Sequence, residues 1–200
     1  MAGAEFLFDF ASPNAYLAHK IIPQIEARTG ARFQYTPVLL GGLFKLTGNQ
    51  APMLAFSGIP NRLAYERLEM QRFIERHSVP FAMNPHFPIN TLLLMRMATA
   101  AAMDGGLAPF ADAAFRLMWE TPRKMDDPEI AVASLQEAGI DASALFKRAQ
   151  DADVKAKLLA ATEDAAARGA FGIPTFFIGG DIFFGKDRLR DVEEALASAQ

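Results

Sequence analysis

The feature that most constrains the fold is a stretch near the start of the chain that reads as a strand running directly into a helix. Phe6, Phe8 and Phe10 recur at the period of two that is typical of a half-buried strand. Ser12 and Pro13 then form a helix start signal, with Ser at the cap and Pro at the first helical position. A helix N-terminus offers unpaired N–H groups and the positive end of the helix dipole, so the sequence predicts an anion site at Ser12, suited to a thiolate or a carboxylate.

The segments that follow predict a β-α-β unit and then a long helical block. Residues 16–29 carry apolar side chains at helical spacing, and residues 32–38 alternate as a second strand that should run parallel to the first. Residues 39–60 are rich in Gly and Pro and read as a loop with a short helical turn at 43–46. Residues 61–169 show helical patterns throughout and predict about six helices, with Asn90 and Asp127 as caps.

Strand character returns only near the end of the chain. Residues 175–178 and 182–184 are β-rich and flank a Gly-Gly hairpin signal, and a last amphipathic helix follows from Asp187. The chain without its helical block has the order β-α-β, Pro, β-β-α, which is the thioredoxin arrangement. We therefore predict an α/β, thioredoxin-like fold with a large all-helical insertion. Its boundaries are 1–48 and 170–200 for the thioredoxin-like domain and 49–169 for the insertion, whose last helix can pack back on that domain.

Composition limits the chemistry of the partner. The chain has 200 residues, with 20 basic and 23 acidic side chains and a net charge of -3, which favours neither nucleic acid nor an anionic membrane surface. It shows no apolar run of membrane-spanning length and no secretory signal, so we expect a soluble, cytoplasmic protein. There is no cysteine, which excludes disulfides and redox chemistry by the protein's own sulfur, and the three histidines lack metal-ligand spacing, so we expect no metal.

Five short segments together resemble one family across essentially the whole chain. They are residues 8–16, 47–52, 87–91, 169–175 and 184–189. With these segments, the chain resembles the 2-hydroxychromene-2-carboxylate isomerases, relatives of kappa-class glutathione transferases in the DsbA-like thioredoxin group. In thioredoxin-like proteins the position of Ser12-Pro13-Asn14-Ala15 holds Cys-x-x-Cys, and the position of Ile173-Pro174 holds a cis-proline loop; the sequence itself leaves the isomer of that bond open.

The resemblance implies a glutathione-dependent enzyme in which Ser12 donates a hydrogen bond to the sulfur of glutathione. A chain without cysteine must import its thiolate, and a helix N-terminus lowers the pKa of a thiol from about 8.5. Ile173, held extended by Pro174, is expected to pair with the peptide part of glutathione. By the same resemblance, the segment at Lys186 and Asp187 binds the γ-glutamyl end; family members often carry Asn or Ser where Lys186 stands.

The implied reaction is the isomerisation of 2-hydroxychromene-2-carboxylate in aromatic-compound catabolism, by reversible addition of the thiolate to an enone substrate. Asn49 and Asn90 are expected near the glycine of glutathione or the substrate, and Pro13 and Tyr16 near the substrate. Phe44 or Trp119 are further candidates for an aromatic pocket, whereas Phe8, Phe10 and Phe171 read as packing. The relatives imply a homodimer.

Other interpretations remain open at this stage. The same thiolate suits a kappa-like glutathione transferase or peroxidase, and a cysteine-less, redox-inactive thioredoxin-like binding protein is a third hypothesis. Taken alone, Ser12, Asn90 and Asp187 could each be plain helix caps, and Pro174 an ordinary trans proline.

Overall fold

A computed structural model describes residues 3–198 and shows one four-stranded sheet with helices around it. The strands are β1 Ala4–Phe8, β2 Phe33–Pro37, β3 Thr175–Ile178 and β4 Asp181–Phe184. The helices are α1 Pro13–Thr29, α2 Leu40–Thr47, α3 Pro52–Ala55, α4 Pro60–His77, α5 Leu92–Met103, α6 Leu107–Trp119, α7 Pro128–Glu137, α8 Ala142–Arg148, α9 Ala152–Ala167 and α10 Leu189–Ser198. A single 3-10 turn, Lys186–Arg188, precedes α10.

The sheet has the strand order β2-β1-β3-β4. Strand β1 runs parallel to β2 and antiparallel to β3, which in turn pairs with β4 in an antiparallel hairpin. This confirms the predicted β-α-β and β-β-α halves and the thioredoxin-like fold. Because β1 and β3 are antiparallel neighbours, the carboxyl end of β1 and the start of β3 meet at one edge of the sheet, with Leu7 opposite Thr175.

Strand β1 is the centre of the core. Phe6, Leu7 and Phe8 are all fully buried, so the prediction of a half-buried strand with one solvent-facing side is wrong. The physical reason is that β1 lies between two other strands and that Phe8 packs against Phe115 of α6, neither of which a short sequence pattern reveals. The ring of Phe6 stacks on that of Phe176 at 5.3 Å, and this contact ties β1 to β3.

The helical block contains the six helices α4 to α9, as the sequence predicts. Asp127 caps α7 by accepting from the Glu129 and Ile130 N–H groups. The predicted cap at Asn90 is off by one position, because α5 begins at Leu92 and Thr91 is its cap residue. Residues 39–60 hold more helix than predicted, namely α2 and the short α3. Helix α9, the last of the insertion, lies against α2 and β2. The division into a thioredoxin-like domain, 1–48 with 170–200, and an insertion, 49–169, stays a prediction.

Residues 3–198 contain neither a candidate membrane-spanning helix nor a candidate metal-binding cluster. No helix there is long and apolar enough to cross a membrane. Over the same residues, no group of three His, Asp or Glu side chains is placed to hold a metal ion.

The central aromatic contact predicts a large and position-specific stability effect. Phe176→Ala removes a fully buried ring and should lower the free energy of unfolding by about 3–5 kcal/mol. Phe184→Ala, in the neighbouring strand, removes a ring that is 43% exposed and should cost less than about 1 kcal/mol. Denaturant titration of both variants measures the difference, and equal losses would contradict the central position of β1 and β3 in the core.

Candidate active site

Ser12 lies where the sequence predicts it, at the N-cap of α1 just beyond the carboxyl end of β1. Its backbone is extended, with φ -95 and ψ 110, and its hydroxyl oxygen accepts the Ala15 N–H at 3.1 Å. Its own N–H donates to the Asp9 carbonyl at 3.0 Å and closes a tight turn between strand and helix. The side chain is therefore held in one place, with only 5% of the residue exposed.

The loop before β3 faces Ser12 across the edge of the sheet. The Ile173–Pro174 peptide bond is cis, and the Ser12 hydroxyl donates to the Ile173 carbonyl at 3.0 Å. The Pro174 carbonyl in turn accepts the Gly185 N–H at 2.9 Å, which fixes the loop from the side of β4. Two segments that are 161 positions apart in sequence therefore meet at one hydrogen bond.

Two backbone donors at this point are free. Among residues 3–198, neither the Asn14 N–H nor the Ile173 N–H has a hydrogen-bond acceptor. The Oδ1 atom of Asn14 is also buried without a partner. Asn14 occupies the second helical position of α1, where an N–H has no intrahelical acceptor. With the positive end of the α1 dipole beside them, these donors form a site that can bind an anion or an extended peptide backbone.

Asn14 is a site residue to which sequence reasoning gave no role. The signal was present in the sequence, because Ser12-Pro13 already placed Asn14 at the second helical position, where the N–H is free. Pro13 is the first helical residue and is half-buried beside it.

Lys186 and Asp187 lie in the 3-10 turn that packs against α1. The Lys186 residue is only 4% exposed, and its Nζ lies 2.6 Å from the Asp187 Oδ1 atom and 5.0 Å above the Phe73 ring of α4. The Asp187 side chain is largely exposed. The sequence did not predict that the ammonium group is buried and already paired.

Asn49 extends from the end of α2 to the same loop as Ile173. Its Nδ2 donates to the Phe171 carbonyl at 2.8 Å, and its Oδ1 accepts the Gln50 N–H. Phe171 is 42% exposed and packs on Phe184, with ring centroids 4.5 Å apart. Phe171 therefore packs against a neighbouring ring at the surface, whereas Phe8 and Phe10, the other two predicted packing residues, are fully buried in the core.

Asn90 follows a second cis peptide bond, Phe87–Pro88, and its Oδ1 accepts the Leu92 N–H at the start of α5. The side chain is exposed and bonds this N–H from one position before the cap residue Thr91, so its role at the site stays a prediction.

The structure argues against two of the predicted aromatic contacts with a substrate. Tyr16 is fully buried, and its hydroxyl lies against the Pro80 carbonyl and 3.0 Å from the Glu120 carboxylate. Burial, with Glu120 beside the hydroxyl, raises the pKa of Tyr16. Trp119 is also fully buried and donates its Nε1–H to the Phe10 carbonyl. Both rings face the core because α6 packs over α1, a tertiary contact that local spacing did not predict. Phe44 is half-buried.

Two cavities in the molecule lie away from Ser12. One, of about 680 Å³, is lined by residues that include Glu5, Gln34 and Lys157. The other, of about 560 Å³, is lined by residues that include His19 and Asp112, where the hydrogen bond from His19 lowers the pKa of the Asp112 carboxyl. Neither is lined by Ser12, Ile173 or Lys186.

The strand order, the helix that starts directly after β1 and the cis-proline loop that faces it are the features of the thioredoxin class. The DSBA-like thioredoxin domain model matches residues 4–197, and the chain belongs to this family.

Among its relatives is a 2-hydroxychromene-2-carboxylate isomerase of Sphingobium xenophagum, 27% identical over 192 residues, with 96% of each chain covered. Glutathione S-transferase kappa 1 of Rattus norvegicus is 25% identical, with 92% of this chain and 86% of the relative covered.

Solved structures agree on the fold. A structure of a 2-hydroxychromene-2-carboxylate isomerase superposes with a TM-score of 0.84 at 22% identity, covering 98% of this chain and 95% of the other. DsbA of Pseudomonas aeruginosa superposes with a TM-score of 0.60 at 16% identity, covering 100% and 83%.

The two hydrogen bonds of the Ser12 hydroxyl predict a stability loss larger than that of an ordinary cap. Ser12→Ala removes the cap and the Ile173 contact together and should lower the free energy of unfolding by about 2 kcal/mol. Asp127→Ala removes only a cap, at the start of α7, and should cost about 1 kcal/mol. If denaturant titration gives the two variants the same loss, the contact between Ser12 and Ile173 contributes nothing to stability.

Proposed function

We propose that this protein is a glutathione-dependent isomerase of the 2-hydroxychromene-2-carboxylate type. The observation that carries the proposal is the position of Ser12, whose hydroxyl lies at the start of α1 and bonds the Ile173 carbonyl beside a cis-proline, in a chain with no cysteine. The names of relatives over nearly the whole chain support the reaction class.

The site is suited to a thiolate that a bound ligand supplies. A chain without cysteine cannot supply the sulfur that thioredoxin-like sites hold at this position. The positive end of α1 and the free Asn14 N–H both favour a negative charge there. A thiol bound at this helix end should therefore titrate below its ordinary pKa of about 8.5 and be ionised at neutral pH.

Binding of glutathione requires an exchange of hydrogen bonds at Ser12. The hydroxyl group donates to the Ile173 carbonyl. If the hydroxyl turns to donate to sulfur, that carbonyl becomes free to accept an N–H of the ligand. The unpaired Ile173 N–H can donate to a ligand carbonyl, so Ile173 can pair with a peptide as an added strand does.

The γ-glutamyl end of glutathione is a zwitterion, and the pair of Lys186 and Asp187 has the complementary charges. The exposed Asp187 carboxylate is available to the α-amino group of glutathione. The buried Lys186 ammonium is paired with the Asp187 carboxylate and holds it in place. Asn49, Asn90 and Pro13 are proposed as contacts for the glycine end or the substrate.

Bound glutathione supplies the nucleophile, since reversible addition of its thiolate to an enone turns a double bond into a single bond that can rotate. The protein's own contribution is to hold the sulfur at Ser12 and to keep it ionised. We propose a small aromatic enone as the substrate and the cytoplasm as the compartment, because glutathione there is held reduced.

A kappa-like glutathione transferase or peroxidase is the second candidate, favoured by the 25% identity to glutathione S-transferase kappa 1. Both enzymes use the same thiolate and differ in whether glutathione returns unchanged. Mass spectrometry of the products separates them, because a stoichiometric glutathione conjugate or disulfide would favour the transferase or peroxidase.

Ser12 predicts a specific loss of activity. Ser12→Ala should lower the glutathione-dependent isomerisation rate by about a hundredfold or more, because the sulfur loses its hydrogen-bond donor and its position. Asp127→Ala, a cap variant remote from the site, should retain the wild-type rate. The assay follows conversion of 2-hydroxychromene-2-carboxylate with and without glutathione.

Two results would contradict the proposal. One is a wild-type rate that does not depend on glutathione. The other is the absence of any thermal stabilisation by millimolar glutathione, which would favour a redox-inactive binding protein over both enzymes.

We further propose that the protein is a homodimer that buries one face of α3 and α4. Between Leu43 and Phe73 no residue is buried, and large apolar side chains there are exposed, as a partner surface requires. They are Leu46, Met53, Leu54, Ile59, Tyr65 and Leu68.

The proposed interface predicts the effect of one charge. Leu54 is 62% exposed, so the monomer should fold normally with Leu54→Glu. The substitution should nevertheless shift the dimer to a monomer in sedimentation analysis, because it would place an unpaired carboxylate in an apolar interface. Leu159→Glu makes the same change at a side chain 58% exposed on α9 and should leave the dimer intact. A Leu54→Glu protein with unchanged mass would contradict this interface.

A further inference from the structure

Asp9 is a buried acidic residue to which neither the sequence motifs nor the chemistry at Ser12 gives a role. It follows β1 directly, three positions before Ser12, and is only 1% exposed. A buried carboxylate is unfavourable unless its oxygens are hydrogen-bonded.

Both oxygens of the Asp9 carboxyl group accept hydrogen bonds from other segments. Oδ1 accepts the Ala11 N–H at 2.9 Å and the Thr91 hydroxyl at 2.6 Å, and Oδ2 accepts the Leu40 N–H at 2.8 Å. Burial raises the pKa of the Asp9 carboxyl, and the same three hydrogen bonds act in the opposite direction. Leu40 begins α2, so the positive end of this helix also faces the carboxyl group, and Thr91 immediately precedes α5.

Each of the three segments leads to a residue of the proposed glutathione site. Ala11 immediately precedes Ser12. Leu40 begins the helix that ends just before Asn49, whose side chain reaches the loop of Ile173. Thr91 follows Asn90. One carboxyl group therefore sets the relative positions of the turns that border the sulfur, the glycine end and the substrate.

We propose that Asp9 is a positioning residue of the glutathione site, joining the Ser12 turn to the starts of α2 and α5. This inference rests on the proposed function for its ligand, while the contacts of Asp9 are independent of it. An amide cannot replace the carboxyl group, because it has one acceptor oxygen and the two N–H groups of Ala11 and Leu40 face different oxygens. In Asp9→Asn, the amide NH2 must therefore face one of these two N–H groups, which loses its hydrogen-bond acceptor.

Asp9→Asn is therefore the first test. We expect its dissociation constant for glutathione, measured by calorimetry, to rise about tenfold, as for the loss of one charged hydrogen bond. Hydrogen exchange should quicken in residues 10–16 or 40–47 of the same variant, with or without glutathione, while α7 keeps its wild-type rates. A Ser12 turn that is released should also raise the pKa of the bound thiol, which its ultraviolet absorbance against pH reports.

Three further variants keep the test valid if Asp9→Asn fails to fold. Thr91→Val removes one donor and should raise the dissociation constant about threefold, whereas Thr91→Ser keeps the hydroxyl and should stay within about twofold of wild type. Thr99→Val removes a buried hydroxyl whose hydrogen bond to the Met95 carbonyl lies within α5, and should lower stability without changing glutathione affinity.

The outcomes separate the two proposals. Unchanged glutathione affinity in both Asp9→Asn and Thr91→Val would overturn the role of Asp9, as would an equal loss of affinity in Thr99→Val. A wild-type protein that does not bind glutathione would instead contradict the proposed function, and hydrogen exchange in Asp9→Asn would then decide whether Asp9 joins these segments.

Discussion

The site depends on the hydrogen bond from the Ser12 hydroxyl to the Ile173 carbonyl. It joins the start of α1 to the cis-proline loop, and the sheet makes it possible because β1 and β3 are antiparallel neighbours. The loop after β1 and the loop before β3 therefore lie at the same edge. The Ala15 N–H fixes the Ser12 oxygen from the helix side, so the hydroxyl group has little freedom except to rotate about its C–O bond.

This arrangement has an energetic consequence for any ligand. A thiolate that accepts the hydrogen bond of the Ser12 hydroxyl replaces the Ile173 carbonyl as its acceptor, and the freed carbonyl can accept a ligand N–H. The exchange by itself contributes little net free energy. Affinity must then come from the charge at the end of α1 and from anchors such as the pair of Lys186 and Asp187, so a short thiol without a peptide should bind poorly.

Local signals predicted the parts of the fold that are determined by a few adjacent residues. Helix α1 starts at Ser12-Pro13 and helix α7 at Asp127-Pro128, as predicted. The predicted hairpin turn at Gly179-Gly180 joins β3 to β4. The cis-proline loop and its meeting with Ser12 followed from the order of the elements and the family resemblance rather than from any local pattern. The burial of β1 on both faces could not be predicted, because it depends on which strands lie beside it.

The side-chain contacts of the site were less predictable for the same reason. The Lys186 ammonium lies above the ring of Phe73, more than a hundred positions away in sequence. The Tyr16 hydroxyl bonds the Glu120 carboxylate, which is equally remote in sequence.

The most direct measurement of the central claim is a crystal structure with glutathione bound. The account predicts the sulfur within hydrogen-bond distance of the Ser12 hydroxyl and the Ile173 backbone paired with the peptide. A sulfur bound elsewhere, with the bond from Ser12 to Ile173 intact, would contradict it.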